Sequence, residues 1–399
     1  MTYISTMERM LQHFYEVSLA VTPEQCVRIR HRMASCDACI NACAQQAITL
    51  HPGGGGLDIE PALCDGCGCC ATVCPTGALE PIAPSSHEVL KEAIEVLKHS
   101  ENGTVVFACP KALPATKGKG RSAEPSGTVK VHCIGRLDES VLVGLGVAGA
   151  QQVLLVDGPC TSCRERIGHT IAQQASETAN TLLQEFGNPQ IAGFTADIPE
   201  SDQTATAPDS GGGTDEDGYS RRGFFSQMKD DAKMLAYDAA LESSPIPLQQ
   251  EQETEESLID KLRIPVGGTM VQRSKACNDR LLSYLDTLGK PREGITDLRL
   301  WGHVSIDAEL CTGCEMCAVF CPTGALYRAD DEAGKGLDFM ATDCVGCNLC
   351  ADICMFHAIS VTHQVSLRNL IDCTVEPVYR AMNARSPRSA VSEGRAAHA

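Results

Sequence analysis

Aromatic side chains are scarce in this 399-residue chain: Phe, Trp and Tyr make up 4% of it, and Trp301 is the single tryptophan. Much of its interior must therefore be filled by something other than large rings. Cationic side chains are also in deficit. A formal net charge of −18 lacks the basic footprint of a general nucleic-acid binder. It favours basic partners instead. No apolar run approaches the length of a membrane-spanning helix. The opening residues, MTYISTMERMLQHFYEV, lack the basic-then-apolar order of a secretory leader. No Ser/His/Asp set, paired carboxylates or phosphate loop suggests substrate chemistry, and the histidines are scattered, so no catalytic residue is nominated.

Cysteine is what the chain has in excess, with 23 residues. Without a secretory leader, a cytoplasmic location is expected, where thiolates serve as metal ligands more often than as disulfides. The cysteines fall in three groups. Residues 26–74 hold nine, residues 109–163 hold four and residues 311–354 hold eight, while Cys277 and Cys373 stand alone.

A short internal repeat organises them. CDGCGCCATVCPTGAL (64–79) and CTGCEMCAVFCPTGAL (311–326) share one template, CVGCNLCADICMFHAI (344–359) is a variant, and SCDACINACAQQAI (35–48) is a fourth copy with its first cysteine displaced. The C-x2-C-x2-C-x3-C spacing lets a tight loop aim three thiolates at one [4Fe–4S] cube while the fourth points at a second cube. Iron with inorganic sulfide is soft and binds deprotonated sulfur best.

Residues 311–359 resemble bacterial two-cluster ferredoxins, down to the CPTGAL sequence. The resemblance implies that Cys311, Cys314 and Cys317 with Cys354 hold one cluster, and Cys344, Cys347 and Cys350 with Cys321 the other. Met355 replaces the usual proline after the last cysteine, which loses a rigid turn but no ligand. On the same pattern, Cys64, Cys67 and Cys70 with Cys43 form a third site. The fourth has Cys36, Cys39 and the exchanged Cys74, but Met33 stands where its first ligand belongs. Cys26 is the one upstream candidate, which makes VRIRHRMAS an inserted loop; the alternative is a three-ligand or degenerate cluster. Cys69 falls out of register and reads as a buried filler or a thiol close to a cluster. Arg28, Arg30, His31 and Arg32 form a basic spot, read first as a solvated loop. The sharper reading is a docking point or a positive charge that raises a nearby cluster's potential.

The middle group lies in a different setting. TVVFA (104–108), VKVH (129–132) and QVLLVD (152–157) are short β-branched strands alternating with helical stretches, which implies a parallel sheet. Cys109, Cys133 and the pair Cys160/Cys163 follow successive strands. Ligands gather beyond the carboxyl ends of strands in such sheets, so the four thiols are expected at one edge. A fifth cluster, [4Fe–4S] or [2Fe–2S], uses all four. Zinc is the alternative there, although structural zinc usually takes two C-x-x-C knuckles, and a thioredoxin-like disulfide would leave Cys109 and Cys133 idle. Residues 131–163 also resemble the small iron–sulfur subunit of methanogen-type hydrogenases that serve heterodisulfide reductase, a resemblance that implies electron relay between enzymes. Gly144, Gly146 and Gly149 spell G-x-G-x-x-G, but the motif ends a helix rather than opening one, so a helix C-cap is the better reading.

The expected fold class is α+β: two two-cluster ferredoxin-like domains (1–82 and 296–362) flanking a small parallel α/β domain (83–198). An acidic linker with amphipathic helices spans 199–295, and 363–399 forms a C-terminal helix and tail. The expected function is iron–sulfur electron transfer in anaerobic metabolism, as a polyferredoxin-type subunit of a hydrogenase, formate dehydrogenase or heterodisulfide-reductase-like complex. Its partners would be redox subunits (a catalytic dehydrogenase, a hydrogenase or a flavoprotein) in a hetero-oligomer, with no nucleic acid and no membrane span. The alternatives are a free-standing shuttle or a factor that delivers clusters to another enzyme. Two ferredoxin-like ends around a central cluster domain would make a wire with separate ends for uptake and release.

Overall fold

The computed structural model describes residues 19–51, 56–82, 84–113, 127–196, 272–331 and 334–380. The acidic stretch 199–223, the two amphipathic segments after it and the tail beyond 384 lie outside the described residues.

In the N-terminal cysteine-rich part, β1 (Leu19–Val21), β2 (Ile48–Leu50), β3 (Leu57–Ile59) and β4 (Leu79–Pro81) form two antiparallel pairs, β1 with β4 and β2 with β3. Between them, α1 (Val27–Arg30), α2 (Ala38–Ala42) and α3 (Cys69–Val73) are helices of one turn or little more. Elements this short are not stable alone. They rely on a small core of Leu19, Ile48, Ala78 and Leu79 packed with the cysteines themselves.

The middle part opens with α4 (Ser86–Lys98). Its start is a capping box: the Glu88 N–H donates to Ser85 Oγ (3.2 Å) while the Ser85 N–H donates to Glu88 Oε2 (2.7 Å). Such a cap is worth about 1 kcal/mol. Strand β5 (Thr104–Ala108), strand β6 (Thr128–Lys130), helix α5 (Glu139–Val147), strand β7 (Gln152–Val156), helix α6 (Ile167–Glu185) and strand β8 (Ala192–Thr195) follow. The four strands form one parallel sheet in the order β6-β5-β7-β8. Helix α5 is apolar on nearly every side because α4, α6 and a later helix, α7 (Ala276–Leu288), all pack on it. A Cβ on Gly144 would come within 2.9 Å of Leu90 and 3.0 Å of Tyr284, and one on Gly146 within 3.1 Å of Leu183. These glycines admit neighbouring helices, and Gly149, at φ +96° just past the helix end, turns the chain out of it. No phosphate loop is built there.

The C-terminal part contains β9 (Thr296–Asp297), β10 (His303–Ile306), α8 (Met316–Phe320), β11 (Leu326–Asp331), β12 (Gly334–Met340), α9 (Leu349–Asp352), β13 (Ile359–Thr362), β14 (Gln364–Val365), α10 (Leu367–Ile371) and β15 (Val375–Arg380). Strand β10 pairs with β13, β9 with β14, and β11-β12-β15 form an antiparallel sheet. Trp301, fully buried, donates its indole N–H to the Thr342 carbonyl (3.1 Å). One hydrophobic core runs from Phe107 and Leu142 through Leu281 and Leu285 of α7 to Trp301 and Phe339. Two ion pairs are set into it. Asp138 caps α5 and faces Arg280 of α7 (3.5 Å), and Glu139, with no exposed surface, pairs with Arg299.

Candidate metal centres

The cysteine loops share a backbone device. In 64–70, 311–317 and 344–350, the residues two and four places after the first cysteine are left-handed: Gly66 and Gly68, Gly313 and Glu315, Gly346 and Asn348. Two such reversals within seven residues wrap the chain around a point, which is how three side chains of one short loop come to face a common cavity. A further left-handed residue stands three places after each closing cysteine, at Gln46, Gly77, Gly324 and His357. It turns the following N–H back onto sulfur: Ala47 N–H donates to Cys43 Sγ (3.2 Å) and Ala358 N–H to Cys354 Sγ (3.4 Å). The copy at 35–48 has no left-handed loop before its helix, in keeping with the displaced first cysteine.

Cys43, Cys64, Cys67 and Cys70 line one small open cavity. Cys26, Cys36, Cys39 and Cys74 line a second. Cys26 thus joins the other three, held by the turn that starts α1, and Arg28 lines the same cavity. Cys321, Cys344, Cys347 and Cys350 line a third. Cys311 and Cys314 act electrostatically on Cys317, and Cys354 follows α9, which packs against α8. Burial, and then the neighbouring sulfurs, push Cys39 up to about 12. Cys317 and Cys344 are pushed up to about 12, first by burial. Thiols crowded in this way stay neutral until a cation takes the protons' place, which is the character of a metal site.

Cys109, Cys133 and Cys160 follow β5, β6 and β7, and Cys109 and Cys133 both act on the Cys160 thiol. Cys160 also faces Asp157 and His169, the one set of metal-binding side chains among the described residues whose donor atoms all lie within 4.8 Å. Cys163 donates to Glu165 Oε2 (2.8 Å) and receives a hydrogen bond from the Lys111 ammonium (3.2 Å). Cys277 lies in the core and Cys373 is exposed, and neither borders a four-cysteine cavity.

Two contacts join these sites. At the first, Arg30 is 5% exposed and donates to the carbonyls of Glu24 (2.7 Å), Phe320 (3.1 Å) and Cys321 (3.2 Å). The solvated-loop reading of the basic spot fails for Arg30, which is the pin of an interface. Val27 and Ala34 pack on Leu349 and Ile353 with Cys36 and Cys347 alongside, and Ser35 donates from N–H and hydroxyl to Asp352 (2.7 and 2.8 Å). At the second, Cys69 is fully buried and packs in one cluster with Cys67 and Cys133. Glu165, from the middle part, lines the Cys43/Cys64/Cys67/Cys70 cavity. The two ends therefore meet each other directly, and the middle site adjoins the N-terminal end. No local sequence signal marks either contact; Arg30 lies 291 positions from Cys321.

Residues 34–78 and 301–359 match a family model, that of the 4Fe-4S dicluster domain. Iron–sulfur dicluster segments stand at both ends. The N-terminal match leaves out Cys26, which the fold supplies from upstream. The dicluster donor sets fit the group the model describes: all are thiols, three of the four sets line a cavity, and among the described residues no three cysteine sulfurs close to within 4.8 Å. A single zinc ion would draw tetrahedral sulfurs to about 3.8 Å of each other. No curated protein and no solved structure matches the chain. No helix among the described residues is long and apolar enough to cross a membrane.

Proposed function

We propose that the chain is an electron-relay subunit that carries single electrons inside a multi-subunit oxidoreductase of the hydrogenase, formate dehydrogenase or heterodisulfide-reductase-like class. When bound, each cluster supplies one-electron chemistry at a potential set by charge, hydrogen bonds and solvent access. Cys26, Cys36, Cys39 and Cys74 would hold one [4Fe–4S] cluster; Cys43, Cys64, Cys67 and Cys70 a second; Cys321, Cys344, Cys347 and Cys350 a third; Cys311, Cys314, Cys317 and Cys354 a fourth. Cys109, Cys133, Cys160 and Cys163 are assigned to a fifth iron–sulfur site.

The observation that carries the relay reading is the pair of contacts. Cys69 joins the middle site to the Cys67 cavity, and the Cys36/Cys347 interface joins the two dicluster segments. The sites then form one series, with the middle site at one end and the Cys311/Cys314/Cys317/Cys354 site at the other. At that far end Cys314 is exposed, and so are Leu310, Met316, Met355 and Phe356 beside the other ligands. An apolar rim around a reachable site suits a redox subunit that must come close. The resemblance of residues 131–163 to a hydrogenase-associated iron–sulfur subunit supports the complex class.

The test is a stoichiometric reductive titration of the anaerobically purified chain, together with purification of the untagged protein from its native source. Uptake of about one electron per cluster, four or five in all, and a co-purifying catalytic subunit are expected. A clean monomer that takes up one or two electrons would refute the reading.

A further inference from the structure

No cysteine pattern includes His169, yet one of its ring nitrogens is left without a partner beside a middle-site cysteine. It stands in the first turn of α6, and its ring lies against Phe194 of β8, with centroids 5.0 Å apart. Its Nδ1 is buried and sits 3.2 Å from Asp157 Oδ1, but it makes no hydrogen bond there or elsewhere. A buried ring nitrogen in that state costs stability unless something binds it. One donor atom each from Asp157, Cys160 and His169 lie within 4.8 Å of one another. Cys160 is thus gathered with an imidazole. Cys163 has other partners: its Sγ donates to Glu165 Oε2 (2.8 Å) and accepts from the Lys111 ammonium (3.2 Å), and those two residues pair with each other.

We propose that the middle site is a [2Fe–2S] centre in which His169, and not Cys163, is the fourth ligand beside Cys109, Cys133 and Cys160. The inference rests on the iron–sulfur reading of the middle site and replaces one of the four ligands assigned to it. Sheet order supports the set. Cys133, Cys109 and Cys160 follow β6, β5 and β7, which are neighbours in that order, and His169 against Phe194 closes the β8 side. Cys133 Sγ lies against Gly168, where a Cβ would overlap it, so this sulfur reaches the residue next to His169. Iron takes imidazole as well as thiolate, whereas carboxylate suits harder cations, so Asp157 borders the site rather than joining it. Spacing then selects the cluster. A cube presents one ligand to each iron and keeps its ligands apart. A [2Fe–2S] centre presents two to each, and two donors on one tetrahedral metal lie ~3–4 Å apart. Cys160 and His169, within 4.8 Å, suit one shared iron, which leaves Cys109 and Cys133 for the other. A neutral imidazole in place of a thiolate also raises the potential of such a centre.

The experiment compares full-length wild type, His169→Ala, His169→Cys and Cys163→Ser, purified anaerobically from cells fed isotope-labelled histidine. Iron and zinc analysis is joined to nitrogen-resolved electron paramagnetic resonance of the reduced protein, recorded at temperatures where cube signals have broadened away. Wild type should show a histidine nitrogen coupled to the remaining signal. His169→Ala should lose that coupling and about two iron atoms per chain. His169→Cys should keep the iron, lose the coupling and shift the site's midpoint potential downward, while Cys163→Ser keeps all three. A filled middle site without histidine coupling would overturn the proposal, as would iron enough for a fifth cube. Cys163→Ser emptying the site while His169→Ala leaves it filled would overturn it too. If both variants lose iron, the wild-type coupling decides: its presence supports His169 as ligand and its absence refutes it. A wild type with iron for the four cubes alone, or with one zinc in the middle site, would defeat the iron–sulfur reading itself and the inference with it.

Discussion

Replacing Arg30 by Gln should separate the two dicluster segments electrically before it separates them physically. The guanidinium is 5% exposed and gives its hydrogens to three main-chain carbonyls, two of them in the C-terminal segment at Phe320 and Cys321. It also interacts electrostatically with Cys321 and Cys347, both lining the third cavity. Unit charges 4 Å apart in a medium of effective permittivity ~20 interact by about 4 kcal/mol, falling inversely with distance. Spreading the cluster charge over several atoms reduces this to about half, ~2 kcal/mol. For a one-electron couple that is on the order of 90 mV. Arg30 stabilises the more negative, reduced state, so its loss lowers the potential. Left without donors, the carbonyls should also cost about 2–4 kcal/mol of stability. The assay is a potentiometric titration resolved by electron paramagnetic resonance, with Arg30→Lys as the charge-preserving control. The Cys321/Cys344/Cys347/Cys350 site should drop in potential in the Gln variant and much less in the Lys variant. If that site keeps its potential in Arg30→Gln, the electrostatic account of the interface is wrong.

Cys26→Ser should remove about four iron atoms per chain and spare the rest, whereas Cys373→Ser should remove none; metal analysis of both variants distinguishes a true ligand from a bystander. Gly168→Ala should push a methyl into Cys133 Sγ, destabilise the chain by about 1–3 kcal/mol and empty the middle site, as read from thermal melting and metal content. Asp138 is held below its ordinary value: burial alone would raise it, but Arg280, Ser140 and Ser86 outweigh that. A depressed folded-state value means stability that is complete above the ordinary aspartate range, near pH ~4, and is lost as pH falls through the folded value. The gap in melting temperature between wild type and Asp138→Asn should therefore narrow below about pH 4, and a constant gap down to the acid limit would contradict this.

What could be read from the sequence was local. Cysteine spacing carries its own backbone geometry, because the left-handed positions at Gly66, Gly68, Gly313 and Gly346 fall inside the repeat. The β-branched runs of 104–108 and 152–156 are strands, and the cysteines after them sit at one sheet edge because parallel strands all end on the same side. Strand β8 went unpredicted: AGFT carries little β signal, and its place is set by pairing with β7. Cys26 could be reached by elimination, since one ligand was missing and one upstream cysteine was free. The sites' order in space could not be read. Arg30 looks like any exposed arginine until Phe320 and Cys321 are folded over it, and Cys69 looks like filler until Cys133 arrives from another part of the chain. The expected wire, with the middle site between two separate ends, gives way to a series in which the ends touch. Helix α7 (Ala276–Leu288), placed by sequence within a linker, belongs to the main core through Leu281 and Leu285.

The most direct test of the central claim is a count of iron, acid-labile sulfide and zinc per chain in protein purified without oxygen. Four cubes and an iron–sulfur middle site predict more than about sixteen iron atoms, matching sulfide and negligible zinc. About eight iron atoms, or one zinc per chain, would contradict it.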